Sequence, residues 1–189
     1  MEPNKLGRSL SRRGTTALEF ALVAPLLVLL VVATVEFSYA LTVQNLLELA
    51  ARKASRTGVT GSAPPAGVTR EEMLRTLVVE TGLGLIDPAR LTIEMTAYNG
   101  FASIGVPEPC RDIDGNGTCD AGEAFTDVNG NGRWDADQGA ASAGVGGQVV
   151  IYTLTYTSLP LTGVVAGLVA RAPLAYSARV VVRNEPFRS

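Results

Sequence analysis

Residues Arg12–Val35 read RRGTTALEFALVAPLLVLLVVATV. A basic doublet and a glycine precede a run, Thr15 to Val35, that is 21 residues long with Glu19 as its sole ionisable side chain. A helix needs about 20 mostly apolar residues to cross the hydrocarbon core, so the run is just long enough to span. A carboxylate inside such a segment is costly and marks a functional position by default. Two readings of Glu19 stand side by side. If the chain is cut after Gly14, the new amino terminus is Thr15, one helical turn from Glu19. A positive α-amino group then sits at the depth of the acid, on this chain or on a neighbour. Without the cut, Glu19 is an acid near the cytoplasmic interface that snorkels to water.

The short basic leader ending in Gly14, followed by Glu19 at the fifth position and Phe20 at the sixth, resembles the prepilin-peptidase site of type IV pilin-like proteins. The run RRGTTALEFALVAPLLVLL is similar, more closely, to the TadE-like minor pilins (pseudopilins) of tight-adherence pilus systems. VQNLLELAARKASRTG (43–58) resembles that family's segment after the membrane helix, and VVVRNEP (180–186) its closing strand and Arg-x-Glu-Pro end. The likeness covers roughly residues 8 to 60 well and the last fifteen modestly. It implies an α+β, pilin-like fold: a long N-terminal transmembrane helix and a small antiparallel sheet head. It implies processing by prepilin peptidase between Gly14 and Thr15, and a Glu19 that neutralises the Thr15 amine of a neighbour and sets subunit register. The expected partners are the membrane, prepilin peptidase, other pilin subunits and the pilus assembly machinery. The expected location is the cytoplasmic membrane with the head exported, then the pilus or cell surface.

Charge supports the same orientation. The net charge is −2 over 189 residues, which leaves no nucleic-acid footprint. Lys5, Arg8, Arg12 and Arg13 against Glu2 make residues 1–14 basic and the remainder acidic. A basic flank before an apolar run keeps the N-terminus in the cytoplasm. The sequence has no histidine, so the commonest general base and transition-metal ligand are missing. Ser38-Tyr39-Ala40 is a competing small-x-small signal-peptidase site. Against it stand Glu36 and an apolar run longer than the ~7–15 residues usual for a signal sequence.

The expected organisation is a leader over 1–14, one helix over 15–57 that spans to about residue 36, and an exported α+β head over 58–189. Pro25 should kink the helix. Val43, Leu46, Leu47, Ala50 and Ala54 recur at spacings of three and four and form one apolar stripe. Gly58 is the expected C-cap glycine, followed by a Gly/Pro/Ser linker (58–67). Thr69 with Glu72 is a capping-box pattern that opens a second amphipathic helix ending near Gly82 or Gly84. Strands are expected from Leu91, from Val149 to Thr157 and from Leu174 to Arg183. The apolar, glycine-dotted stretch 160–170 reads as a short helix or a loop on the base of the sheet, close to lipid.

Residues 110–138, CRDIDGNGTCDAGEAFTDVNGNGRWDADQ, depart from a minimal pseudopilin. An EF-hand calcium loop takes ligands at positions 1, 3, 5, 7, 9 and 12, with glycine at 6. Asp112, Asp114, Asn116, Thr118 (through its carbonyl), Asp120 and Glu123 fill those slots, with Gly117 at the turn. A second register, fifteen residues on, holds Asp127, Asn129, Asn131, Arg133 (carbonyl) and Asp135, with Gly132 at the turn. Its twelfth position is Gln138, which supplies no carboxylate. The second site is therefore expected to be weaker, or to share Glu123 or another acid; Asp137 compensates only if the loop closes differently. Flanking EF-hand helices are not evident, so the pair resembles the helix-poor calcium loops of exported bacterial proteins. The opposing reading is a solvated acidic loop that, with seven acids between Asp112 and Asp137, has no fixed structure. Cys110 and Cys119 lie on the exported side, where a disulfide across the first loop is the favoured pairing. Trp134 occupies the position that packs between paired loops.

Three functions compete. The first is a minor pilin or pseudopilin whose calcium loops stiffen the head. The second is an unprocessed, single-pass calcium-binding or adhesion module. The third, a secreted enzyme, is weak: there is neither histidine nor Gly-x-Ser-x-Gly.

Overall fold

The structure is a computed structural model that describes residues 12–59, 66–168 and 172–185. Helix α1 covers Arg12–Val59 and continues through Pro25. At 1.5 Å per residue it is about 72 Å long. It begins inside the expected leader, and it runs through Gly58 instead of ending there. The rest of the leader (1–11) and the centre of the linker (60–65) lie outside the described residues.

The chain divides into two compact units. One holds α1 as far as Leu41 together with Leu159–Pro173. Its apolar side chains are uncovered: Leu22 is 74 % exposed, and Leu18 through Val35 show the same character. Among the described residues, α1 is the one helix long and apolar enough to cross a membrane. Anchors and signal sequences share that length and composition.

The other unit holds Thr42–Ser158 and the chain from Leu174. Here the predicted stripe is the buried face of α1: Val43, Leu47, Ala50 and Ala54 are closed to solvent, and Leu46 is half-buried. Helix α2 (Arg70–Thr81) opens on the predicted capping box. The Thr69 hydroxyl accepts the Glu72 N–H, and the Glu72 carboxylate accepts the Thr69 N–H at 2.8 Å. Gly82 closes the helix, its N–H reaching the carbonyls of Val78 and Val79.

Four antiparallel strands follow: β1 (Leu91–Tyr98), β2 (Ala140–Ala141), β3 (Val149–Ser158) and β4 (Leu174–Arg183), in the order β2-β1-β3-β4. Central β3 reads as a nearly continuous buried run, with Tyr152 and Leu154 in the core, and it is paired on both edges. Arg75 of α2 ties the helix to the start of β1 by donating to the carbonyls of Pro88 and Leu91. Within 160–168, Gly163–Leu168 form a short helix, α3, which groups with the N-terminal part of α1 rather than with the sheet.

Candidate functional site

The acidic stretch leaves the sheet after β1 and returns at β2. At the return, a Cβ on Gly139 would lie 2.8 Å from the Tyr98 ring, so only glycine lets the chain pass. The Tyr98 hydroxyl donates to Asp137 at 2.9 Å. Burial first, then that bond and the charge of Asp137, push the Tyr98 pKa up to about 12. Asp137 is thus tied to β1 through Tyr98.

In the first loop the acidic side chains gather the backbone N–H groups of the turn. Asp112 accepts N–H groups from Gly115, Asn116 and Gly117, the last at 2.9 Å. Gly117 takes φ +80°, the left-handed backbone that only glycine adopts freely. Asn116 donates to Asp114 and to Asp120. Glu123 closes the ring: one carboxylate oxygen accepts from Ile113 N–H at 2.6 Å and the other from Asp120 N–H at 3.0 Å. Asp112, Asp114 and Glu123 bring an oxygen each within 4.8 Å of one another. These bonds hold Asp112 below the usual carboxylate range, the Gly117 N–H contributing most.

The second loop repeats this framework. Asp127 accepts from Gly130, Asn131 and Gly132. Asn129 and Asn131 donate to Asp135, which holds its carboxyl below the usual range. Gln138 does not close this loop; Glu108 does, from upstream of the first loop. One Glu108 oxygen accepts from Val128 N–H at 2.7 Å, the other from Asp135 N–H at 3.2 Å. Val128 and Asp135 are the second and ninth positions, as Ile113 and Asp120 are for Glu123. The backbone agrees: Glu108 N–H donates to Asp135 O at 3.0 Å, as Glu123 N–H does to Asp120 O at 3.1 Å. Glu108 is 2 % exposed.

Glu108 therefore takes in the second loop the place that Glu123 takes in the first. The segments carrying the two acids lie side by side, through an antiparallel bridge between Cys110 and Phe125. Trp134 donates its indole N–H to the Glu108 carbonyl at 2.8 Å. The sequence did hold a signal for Glu108: it stands fifteen residues before Glu123, as Glu123 stands fifteen before Gln138. Cys110 and Cys119 are joined as a disulfide. They thus offer no thiolate beside Glu123, although their sulfurs lie within 4.8 Å of it and of each other.

At the other end of the chain, Gly14 and Thr15 occupy the first turn of α1. Glu19 follows one turn later, exposed. Residues 14–56 match the family described as TadE-like protein. The N-terminal region is TadE-like. The matched stretch holds Gly14, Thr15, Glu19, the apolar run and the buried stripe up to Ala54. The TadE-like family is structural and pilin-related, and the match falls within α1. The acidic stretch lies outside the match. No curated protein and no solved structure matches the chain.

Proposed function

We propose that this protein is a TadE-like minor pilin or pseudopilin, a structural or assembly subunit of a tight-adherence type IV-like pilus. The supporting observation is the TadE-like match over 14–56, which starts at Gly14 and includes Glu19. On this reading prepilin peptidase cuts between Gly14 and Thr15, α1 anchors the subunit in the cytoplasmic membrane, and Glu19 pairs with the Thr15 amine of a neighbouring subunit. The test is the N-terminal sequence of the protein recovered from its native membrane. A start at Thr15 is expected. A start at Met1 makes the chain a plain single-pass anchor, and a start at Leu41 makes it a secreted protein.

In the same reading the stretch 110–138 binds calcium. The first ion takes Asp112, Asp114, Asn116, Asp120, Glu123 and the Thr118 carbonyl; the second takes Asp127, Asn129, Asn131, Asp135, the Arg133 carbonyl and Glu108. The equivalence of Glu108 and Glu123 supports two closed sites in place of one strong and one weak. Hard cations of this kind take six to eight oxygens, and each loop gathers that many only with its glutamate. Calorimetric titration with calcium should show two binding events per chain, and a chelator should expose 110–138 to protease while α1 stays resistant. Equal protease sensitivity with and without chelator removes the structural ion.

A further inference from the structure

The connection between β3 and β4 reads LPLTGVVAGLVARAP over 159–173, with no acid and with Arg171 as its sole charge. It groups with the apolar half of α1 as one compact unit. The link is Glu36, the first ionisable residue after the uncharged run Phe20–Val35. Its carboxylate accepts the N–H of Leu161 at 3.1 Å and the N–H of Thr162. Those N–H groups stand just ahead of α3, where no backbone carbonyl of the short helix reaches them. The segment's apolar side chains nevertheless face outward: Leu161, Val164 and Leu168 are exposed, Leu168 to 76 %.

We infer that Leu159–Leu168 is a second membrane contact, lying in the headgroup–acyl boundary of the outer leaflet beside the exit of α1, with Glu36 as the latch that holds it there. This rests on the reading of α1 as a membrane anchor. The occupant follows from three observations. The segment is fixed to the end of the apolar run, so its outward face continues the surface that the run offers to lipid. It lacks the acids that anionic headgroups repel. The N–H groups at its turn have acceptors, Leu161 and Thr162 in Glu36 and Val165 and Ala166 in Thr162, and irregular backbone at the bilayer is tolerated only where its polar groups have partners. A foot of this kind fixes the rotation of α1 about its own axis at the bilayer surface, which a single smooth helix does not.

Quenching by brominated lipid tests this in the full-length chain, with one protein per nanodisc. Three variants, Leu168→Trp, Val28→Trp and Leu83→Trp, each add a tryptophan at an exposed site. Trp134, the one native tryptophan, is a constant background. Dibrominated phosphatidylcholine should quench the added emission of both Val28→Trp and Leu168→Trp, and leave Leu83→Trp unchanged. Unquenched Leu168→Trp beside quenched Val28→Trp overturns the inference and leaves the anchor standing. Unquenched Val28→Trp overturns both. Quenching of Leu83→Trp as strong as that of Leu168→Trp means that the head adheres without selectivity, and the foot is rejected. Adding Glu36→Ala to Leu168→Trp should reduce the quenching; undiminished quenching removes Glu36 as the latch.

Discussion

Glu108 carries a carboxylate into a place that is 2 % exposed, and the groups that meet it are backbone N–H donors of Val128, Asn129 and Asp135. Truncating it leaves those donors without their acceptor, at about 1–3 kcal/mol for a buried unsatisfied group. Glu108→Ala should therefore lower the melting temperature and remove one of two calcium-binding events, while Glu123→Ala removes the other. Two intact events in Glu108→Ala, read by calorimetry, would show that the second loop closes without it. Tyr98 makes a separate, pH-dependent contribution. Its neutral form is favoured in the folded state, with a pKa raised to about 12 against 10.0 for the free side chain. The stabilisation is complete below the unfolded value and is lost as pH rises from there through about 12. Ultraviolet titration of the five tyrosines should show late ionisation, and Tyr98→Phe should remove a late-titrating component. Burial also raises Tyr152, so one late component should remain.

Among the elements, α2 is the one whose ends are most fully specified by local chemistry. Its capping box satisfies two donors that the helix itself cannot. Thr69→Ala should cost about 1 kcal/mol, seen as a lower melting temperature with unchanged calcium binding; an unchanged midpoint would mean that the cap is idle. The first acidic loop is held differently, by a covalent ring of sequence separation 9 between Cys110 and Cys119. Closing a ring of that size restricts the unfolded chain by about 2–3 kcal/mol in the loop-entropy account. Reduction should thus loosen the first loop more than the second, which hydrogen–deuterium exchange over 112–123 and 127–138 resolves. Equal loosening of both would point to a single cooperative unit, coupled through the bridge between Cys110 and Phe125.

On the scale of the whole molecule, α1 carries two surfaces of opposite use. Its N-terminal part is apolar and exposed, and its continuation from Val43 is the buried stripe of the head. One uninterrupted helix thus carries both an apolar run of membrane-spanning length and the buried stripe. Glu19 belongs to the first surface, where its chemistry needs a partner from outside the chain or water at the interface. Glu19→Ala should leave membrane insertion intact, because removing a charge from the apolar run favours partition into lipid. It should reduce co-purification with other pilin subunits. Undiminished co-purification would leave Glu19 as an acid that reaches water.

The sequence by itself determined the elements whose information is local: the apolar run, the stripe from Val43 to Ala54, the Thr69–Glu72 cap and the three long strands. Each of these is written in neighbouring residues, through helical or alternate spacing or through the side chains of one helix cap. The ends of α1 were less legible. Helix persisted back to Arg12 and on through Gly58, because propensity at one residue is weaker than the helix already formed beside it. Only the tertiary structure decided what lies far apart in the chain. It brought Glu108 across to the second loop in place of Gln138, gave Asp137 to Tyr98, and fixed 159–168 to Glu36 rather than to the base of the sheet. Spacing within a loop says which ligands that loop can gather. It does not say which distant segment will run alongside, because that depends on strand pairing and backbone hydrogen bonds that exist only once the chain has folded.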